Sequence, residues 1–166
     1  MPYWQLYYHI VWSTKNREPL ITPEVEALLY GFLRSKAISL GGDVFAINGV
    51  ADHIHLVASI PPSVAVATFI GQVKGAAATR FNKSGVNARP IHWQTEYSVF
   101  SFDAKRLPHL VAYVDGQKTH HAQATVIPVL ERMDEKAQTV RETSGDYHLS
   151  VEDDWPEILP ATQAKL

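Results

Sequence analysis

The sequence predicts an α+β fold: one antiparallel sheet of the split-βαβ, ferredoxin-like kind, with an added C-terminal helix that carries a tyrosine. Three observations predict it. Clusters of β-branched and aromatic residues recur at four places, two helix-spaced apolar stripes separate them in the order β-α-β-β-α-β, and a third stripe follows the last strand. A chain of 166 residues with 46% apolar and 19% charged residues has the substance for one core.

Residues 4–13 open the first strand, dense in Trp4, Tyr7, Tyr8, Ile10, Val11 and Trp12, which favour a pleated, half-buried surface. Thr22-Pro23 then supplies an N-cap and a proline at the first helical position, and Val25, Leu28, Leu29, Phe32 and Leu33 recur at helical spacing until Gly41-Gly42 stops them. Residues 44–50 and 54–60 read as two strands joined by a tight connection, the second ended by Pro61-Pro62. Ser63 is placed to cap a second helix whose stripe is Val66, Phe69, Ile70, Val73 and Ala77, with Lys74, Arg80 and Lys83 turned to solvent. A turn-rich loop at 82–90 leads to a strand at 97–102 and one continuous helix at 107–123, capped by Asp103 or Ser101.

Composition excludes several chemistries. With no cysteine there is no disulfide scaffold, thiolate zinc site or cysteine nucleophile. The longest apolar run, 64–67, resuming at Phe69, is far short of the ~20 residues of a membrane span, and the first residues lack the basic-then-apolar order of a secretory signal. A cytoplasmic protein is expected. The net charge of −2 divides unevenly: residues 1–130 hold 11 Lys/Arg against 8 Asp/Glu (+3), and residues 131–166 hold 4 against 9 (−5). The expected organisation is a domain at 1–130 and an acidic extension, helix and tail, at 131–166.

The sharpest motif is His53-Ile54-His55, because strand alternation sends both imidazoles to one face while Ile54 and Leu56 enter the other. Their Cα atoms would lie about 7 Å apart, within reach of one cation. In the third helix Tyr113, Gln117 and His120 or His121 project from one side. These groups fit one reaction. A divalent ion on His53, His55 and the Gln117 amide oxygen would polarise a phosphate, and Tyr113 could attack it and store the broken bond as a phosphotyrosine.

At this point the chain resembles the single-tyrosine HUH transposases of small bacterial insertion sequences, the TnpA type, of which the transposases associated with repetitive extragenic palindromes (REP) are a related branch. The likeness runs from Tyr8-His9-Ile10-Val11-Trp12-Ser13-Thr14-Lys15 through His53-Ile54-His55 and Trp93-Gln94 to Tyr113, Gln117 and His120-His121. It implies a DNA-cleaving and rejoining enzyme acting on single strands with hairpins at element ends. In it Tyr113 is the nucleophile, His53, His55 and Gln117 are the ligands of Mg²⁺ or Mn²⁺, and the active form is a homodimer. Lys74, Arg80, Lys83, Arg89, Lys105, Arg106 and Lys118 are the expected phosphate contacts, and Trp93 and Tyr97 the expected stacking platforms. The alternative is a catalytically inactive or host-adopted ferredoxin-like DNA-binding regulator. The two differ in one observable, a denaturant-stable protein–DNA adduct.

Overall fold

The computed structural model describes residues 2–133. Strand β1 is Tyr7–Ser13, followed by helix α1 (Pro23–Ser39), strands β2 (Asp43–Val50) and β3 (His53–Ser59), helix α2 (Val66–Ser84) and strand β4 (Ser98–Phe102). The strands form one sheet in the order β2-β3-β1-β4, antiparallel throughout. This is the expected α+β, split-βαβ architecture. Strand boundaries fall within three residues of those read from sequence, and the ends at Ser13, Val50 and Phe102 coincide.

Strands β2 and β3 meet in a hairpin in which Val50 pairs with His53, so Ala51 and Asp52 alone make the turn. Gly49 is required beside it, since a Cβ there would lie 2.1 Å from the carbonyl oxygen of His53. The register Trp12–Ile54 and Val11–His55 then locks β3 to β1 at the centre of the sheet.

The two faces of the sheet are chemically different. On one, Ile10, Trp12, Ile54, Leu56 and Ala58 pack under α1 and α2 through Leu29, Leu33, Phe69, Ile70, Val73 and Phe81, all buried. Helix α1 begins at Thr22-Pro23 as expected, whereas α2 starts at Val66 after Ala65, not at Ser63. Lys74 was expected in solvent; it is buried on α2 and donates from Nζ to the carbonyls of Gln94, Thr95 and Glu96 at 2.8, 3.3 and 3.2 Å. The stripe is wide enough to take in this position, and three carbonyls of the segment before β4 replace its water. Burial lowers its pKa to about 8.

The opposite face carries His9, His53, His55 and Val57, covered by helix α3 (Leu107–Asp115) and by the segment Pro128–Glu131 through Leu110, Tyr113, Val114 and Leu130. The single helix expected at 107–123 is two helices. Helix α3 ends at Gly116, whose φ of −85° and ψ of 5° depart from helical values, and α4 runs Gln117–Ala122. The bend is tight: a Cβ on Gly116 would lie 3.1 Å from Nε2 of His120. Asn48 of β2 donates to the carbonyl of Asp115 at 2.9 Å and ties the end of α3 to the sheet. The boundary expected after Leu130 passes through the turn Pro128–Glu131, which packs on the sheet. The helix expected in the extension lies outside the described residues. Among the described residues no helix is long and apolar enough to cross a membrane.

Candidate active site

The site is built from the two interior strands. Alternation on β3 places His53 and His55 on the α3 face, both buried, and the same parity on β1 brings His9 beside them. Each imidazole is held through its Nδ1. For His53 the partner is Oδ1 of Asp52 at 2.7 Å, and Arg17 steadies that carboxylate with Nε 3.0 Å from Oδ2. For His55 the partner is Nε2 of His9 at 2.9 Å, with the two ring planes inclined by 13°.

The Nε2 atoms of both histidines face one carboxylate, that of Glu131. Its Oε2 lies 3.1 Å from His55 Nε2, 3.2 Å from His53 Nε2 and 3.4 Å from His121 Nε2. Its Oε1 accepts the hydroxyl of Tyr113 and, at 3.2 Å, the Nε2 of Gln117. Tyr113 also accepts the backbone N–H of Ile127 at 3.1 Å, and the His120 ring lies over it at 4.9 Å between centroids. The structure therefore brings Tyr113, Gln117, His53 and His55 together within one chain. Gln117 is fully buried, and its Oε1 has no hydrogen-bond partner among the described residues.

The electrostatics follow from this crowding. Burial by itself raises the pKa of Glu131, but the His53 and His55 imidazoles and the Tyr113 hydroxyl turned toward it hold it well below the usual carboxylate range. Burial pushes the Tyr113 phenol upward, and its bond to Glu131 adds to the effect. Burial lowers His55, opposed by Glu131, and lowers His9 to about 3, assisted by neighbouring His55. His9 is thus neutral at physiological pH.

This donor set suits a cation. Asp52 accepts the Nδ1–H of His53, which leaves Nε2 as a lone pair, buried and facing a carboxylate oxygen without hydrogen-bond alignment. One ligand atom each from His53, His55 and Glu131 lie within 4.8 Å of one another; Gln117 turns its amide nitrogen, not its oxygen, toward the same carboxylate, and its oxygen has no hydrogen-bond partner among the described residues. Such nitrogen and oxygen groups match divalent metals of the manganese, zinc or magnesium type.

Glu131, Asp52 and His9 escaped the sequence reading as site residues. The signal for Glu131 was the apolar run 126–130 directly before it, which continues the buried pattern of the domain into what reads by charge as a tail.

The expected phosphate contacts are dispersed. Arg80 and Lys83 lie on α2, on the face of the sheet away from the histidines, and the Arg80 guanidinium covers Phe32 at 4.7 Å. Arg89 pairs with Glu18. Lys105 and Arg106 form the short turn before α3, where Arg106 lies 3.5 Å from Asp103. Lys118 joins α4 to Glu26 at 2.9 Å and to Asn48 at 2.7 Å. Trp93 packs edge-on against Trp12 at 5.9 Å and donates to the carbonyl of Lys74, so much of its ring is committed to the core rim. Tyr97 takes the Lys74 ammonium 5.8 Å from its ring centroid.

Comparison with known proteins decides the family. The family described as "Transposase IS200 like" matches residues 2–117. The chain belongs to the IS200-like transposases. The ISDra2 transposase TnpA of Deinococcus radiodurans is 36% identical over 119 residues, 69% of this chain and 85% of that protein. The transposase for insertion sequence element IS200 of Salmonella typhimurium is 32% identical over 72 residues, 43% of this chain and 47% of its own length. Two solved structures share the fold. A Deinococcus radiodurans R1 protein described as a transposase aligns with TM-score 0.55 and 24% identity over 70% of this chain and 95% of its own. A REP-associated tyrosine transposase bound to a REP hairpin aligns with TM-score 0.53 and 13% identity, over 76% of each chain. As an IS200-like transposase the chain is a DNA-cleaving enzyme of insertion-sequence type.

Proposed function

We propose that this transposase cleaves and rejoins single-stranded DNA at element ends through a covalent 5′-phosphotyrosine on Tyr113, with a divalent ion held by His53, His55, Glu131 and Gln117. The observation that carries the reading is the convergence of the Tyr113 hydroxyl, two imidazole Nε2 atoms and the Gln117 amide on one carboxylate. A core tyrosine at a helix edge needs no such company.

The phenol is a weak nucleophile here, being buried and hydrogen-bonded in its neutral form. Its bond to Glu131 and the N–H of Ile127 fix the direction from which its oxygen meets phosphorus. The Tyr113 oxygen forms the bond to phosphorus as its proton passes to Glu131 Oε1, which already accepts the hydroxyl's hydrogen bond; the bond to the 3′-oxygen breaks, and that oxygen leaves as a 3′-hydroxyl by taking the proton from Glu131. Mg²⁺ or Mn²⁺, when bound, neutralises charge on the phosphate oxygens and makes phosphorus more electrophilic. Rejoining is the reverse attack by a 3′-hydroxyl, and the stored ester removes the need for an external energy source.

Hairpins at the element ends are the proposed recognition feature, in keeping with the hairpin-bound REP-associated relative. The proposed active form is a cytoplasmic homodimer, with residues 1–130 as the transposase domain and 131–166 as an acidic extension whose first residue completes the site. Lys105 and Arg106, in the short turn before the tyrosine helix, and Lys118, beside Gln117 on α4, are the proposed phosphate contacts.

The test is incubation of the purified chain with hairpin-bearing single-stranded DNA and Mg²⁺ or Mn²⁺, followed by denaturing electrophoresis. A denaturant-stable adduct is expected with the wild type and none with Tyr113→Phe. An adduct retained in Tyr113→Phe overturns the assignment. Cleavage without an adduct would instead indicate an activated water, and hairpin binding without cleavage the inactive regulator.

A further inference from the structure

The two histidines that face the proposed metal position are backed by different chemistry. Behind His53 stands a carboxylate, which only accepts; Asp52 therefore fixes one tautomer, with the proton on Nδ1 and the lone pair on Nε2. Behind His55 stands a second imidazole. His9 is fully buried, and its Nε2 lies 2.9 Å from His55 Nδ1, while its own Nδ1 has no hydrogen-bond partner among the described residues. An imidazole differs from a carboxylate in one respect that matters here: the same ring nitrogen can donate or accept.

The geometry points to His9 as a positioning residue that follows the tautomer of His55: it donates Nε2–H to His55 Nδ1 while the metal position is empty, and accepts from it once His55 Nε2 is a ligand. The inference rests on the metal reading proposed above.

Without a cation, His55 Nε2 lies 3.1 Å from Glu131 Oε2, an acceptor. The favourable proton position is then on Nε2, which leaves Nδ1 as an acceptor that His9 must satisfy with its own Nε2–H. A metal needs the Nε2 lone pair. The Nε2 proton of His55 leaves to water, the Nε2 proton of His9 passes to His55 Nδ1, and a proton enters at His9 Nδ1. Proton count and charge of the pair are unchanged. A carboxylate at position 9 could serve only the second state and an ammonium only the first. Orienting groups behind metal-bound histidines commonly contribute about 10–100-fold in affinity.

The full-length chain, ¹⁵N-labelled, allows the ring tautomers to be read by long-range ¹H–¹⁵N correlation without metal and with Zn²⁺, a diamagnetic ion that imidazole favours. His53 is expected on Nδ1–H in both states, and His55 is expected to move from Nε2–H to Nδ1–H. By calorimetry with Mn²⁺, His9→Phe should bind about 10-fold more weakly or worse. His9→Gln, whose amide can present either oxygen or nitrogen to His55, should stay within about threefold of wild type, an expectation from the same donor and acceptor inventory. A His55 tautomer that does not change with Zn²⁺, or His9→Phe binding Mn²⁺ as tightly as wild type, overturns the inference. If His9→Phe does not fold, a 10-fold loss in His9→Gln overturns it equally. Failure of the wild type to take up either metal sinks the metal reading instead, and the metal-free tautomer of His55 still decides whether His9 donates to it.

Discussion

The two faces of the sheet use the same strands for opposite purposes. Toward α1 and α2, β3 sends Ile54, Leu56 and Ala58 into a dry core; toward α3 it sends His53, His55 and Val57. Both faces are buried, so burial alone does not separate structure from chemistry. The difference lies in satisfaction of polar groups. The apolar face has few to satisfy, whereas the other gathers three imidazoles, a carboxylate, a phenol and an amide, with the phenol, the amide and two of the imidazoles meeting the carboxylate, and with His9 Nδ1, His53 Nε2 and Gln117 Oε1 left without partners among the described residues. Buried polar groups are expensive without partners, so a cluster of them aimed inward, with lone pairs left over, marks the site more sharply than depth or cavity shape.

The largest effect that can break this contrast is on the reaction itself. Tyr113→Phe should abolish the covalent adduct at a cost in stability of about 1–3 kcal/mol, since Glu131 Oε1 and the Ile127 N–H each lose a partner. Phe69→Ala on the other face should lower stability more, by about 3–5 kcal/mol, while the adduct formed per folded molecule stays near wild type. Denaturant titration beside gel quantification reads both. An equal loss of adduct in the two variants would mean that the faces are not functionally distinct.

Next in size is the carboxylate. Glu131→Gln keeps the shape but removes the charge that faces both imidazoles, and Mn²⁺ affinity by calorimetry should fall by at least about 10-fold. Unchanged affinity would reduce Glu131 to a hydrogen-bond partner of Tyr113.

Legibility from sequence follows the same division. The apolar face was readable because its stripes obey simple periods: Val25, Leu29 and Leu33 on α1 and Phe69, Ile70, Val73 and Ala77 on α2. On the site face, His53-Ile54-His55 and the Tyr113 to Gln117 spacing were readable because alternation and helical turn spacing place them without tertiary knowledge. Glu131 was not, because it reaches the histidines across 76 residues of chain and sits where the charge balance turns acidic. His9 has its period-two neighbours, but only the pairing of Val11 with His55 shows which strand it faces. Lys74 misled because helical spacing places the start of its side chain but not the three carbonyls that receive its end. The break at Gly116 was foreshadowed by the residue type alone.

A pH series sharpens the comparison more gently. The pKa values of His9 and His55 are lowered in the folded chain, mainly by burial, so below the ordinary value of 6.5 the unfolded chain binds protons that the folded one refuses. Glu131, lowered in the folded state, acts in the same direction as its unfolded counterpart protonates. Melting temperature should therefore fall as pH drops from 7 toward 4, and His9→Phe should flatten the upper part of that slope. A Phe69→Ala variant should show the wild-type slope from a lower starting point. The smallest effect is expected at the surface. Removing Lys105 or Arg106 should lower the salt dependence of DNA binding by about one counterion for each phosphate left without its cation, whereas Arg80→Ala, on the far face, should leave the slope unchanged.

The site is assembled from parts of unequal permanence. His9, His53 and His55 belong to the two interior strands, each laddered on both sides; Tyr113 and Glu131 belong to a nine-residue helix and a four-residue turn laid over them. Short overlying pieces open locally at a fraction of the free energy that global unfolding demands. On gentle warming the nucleophile should therefore detach from its neighbours while the imidazoles remain in register. Thermal inactivation would begin as a reversible loss of cleavage in a molecule whose histidines still stand side by side, well before the sheet comes apart.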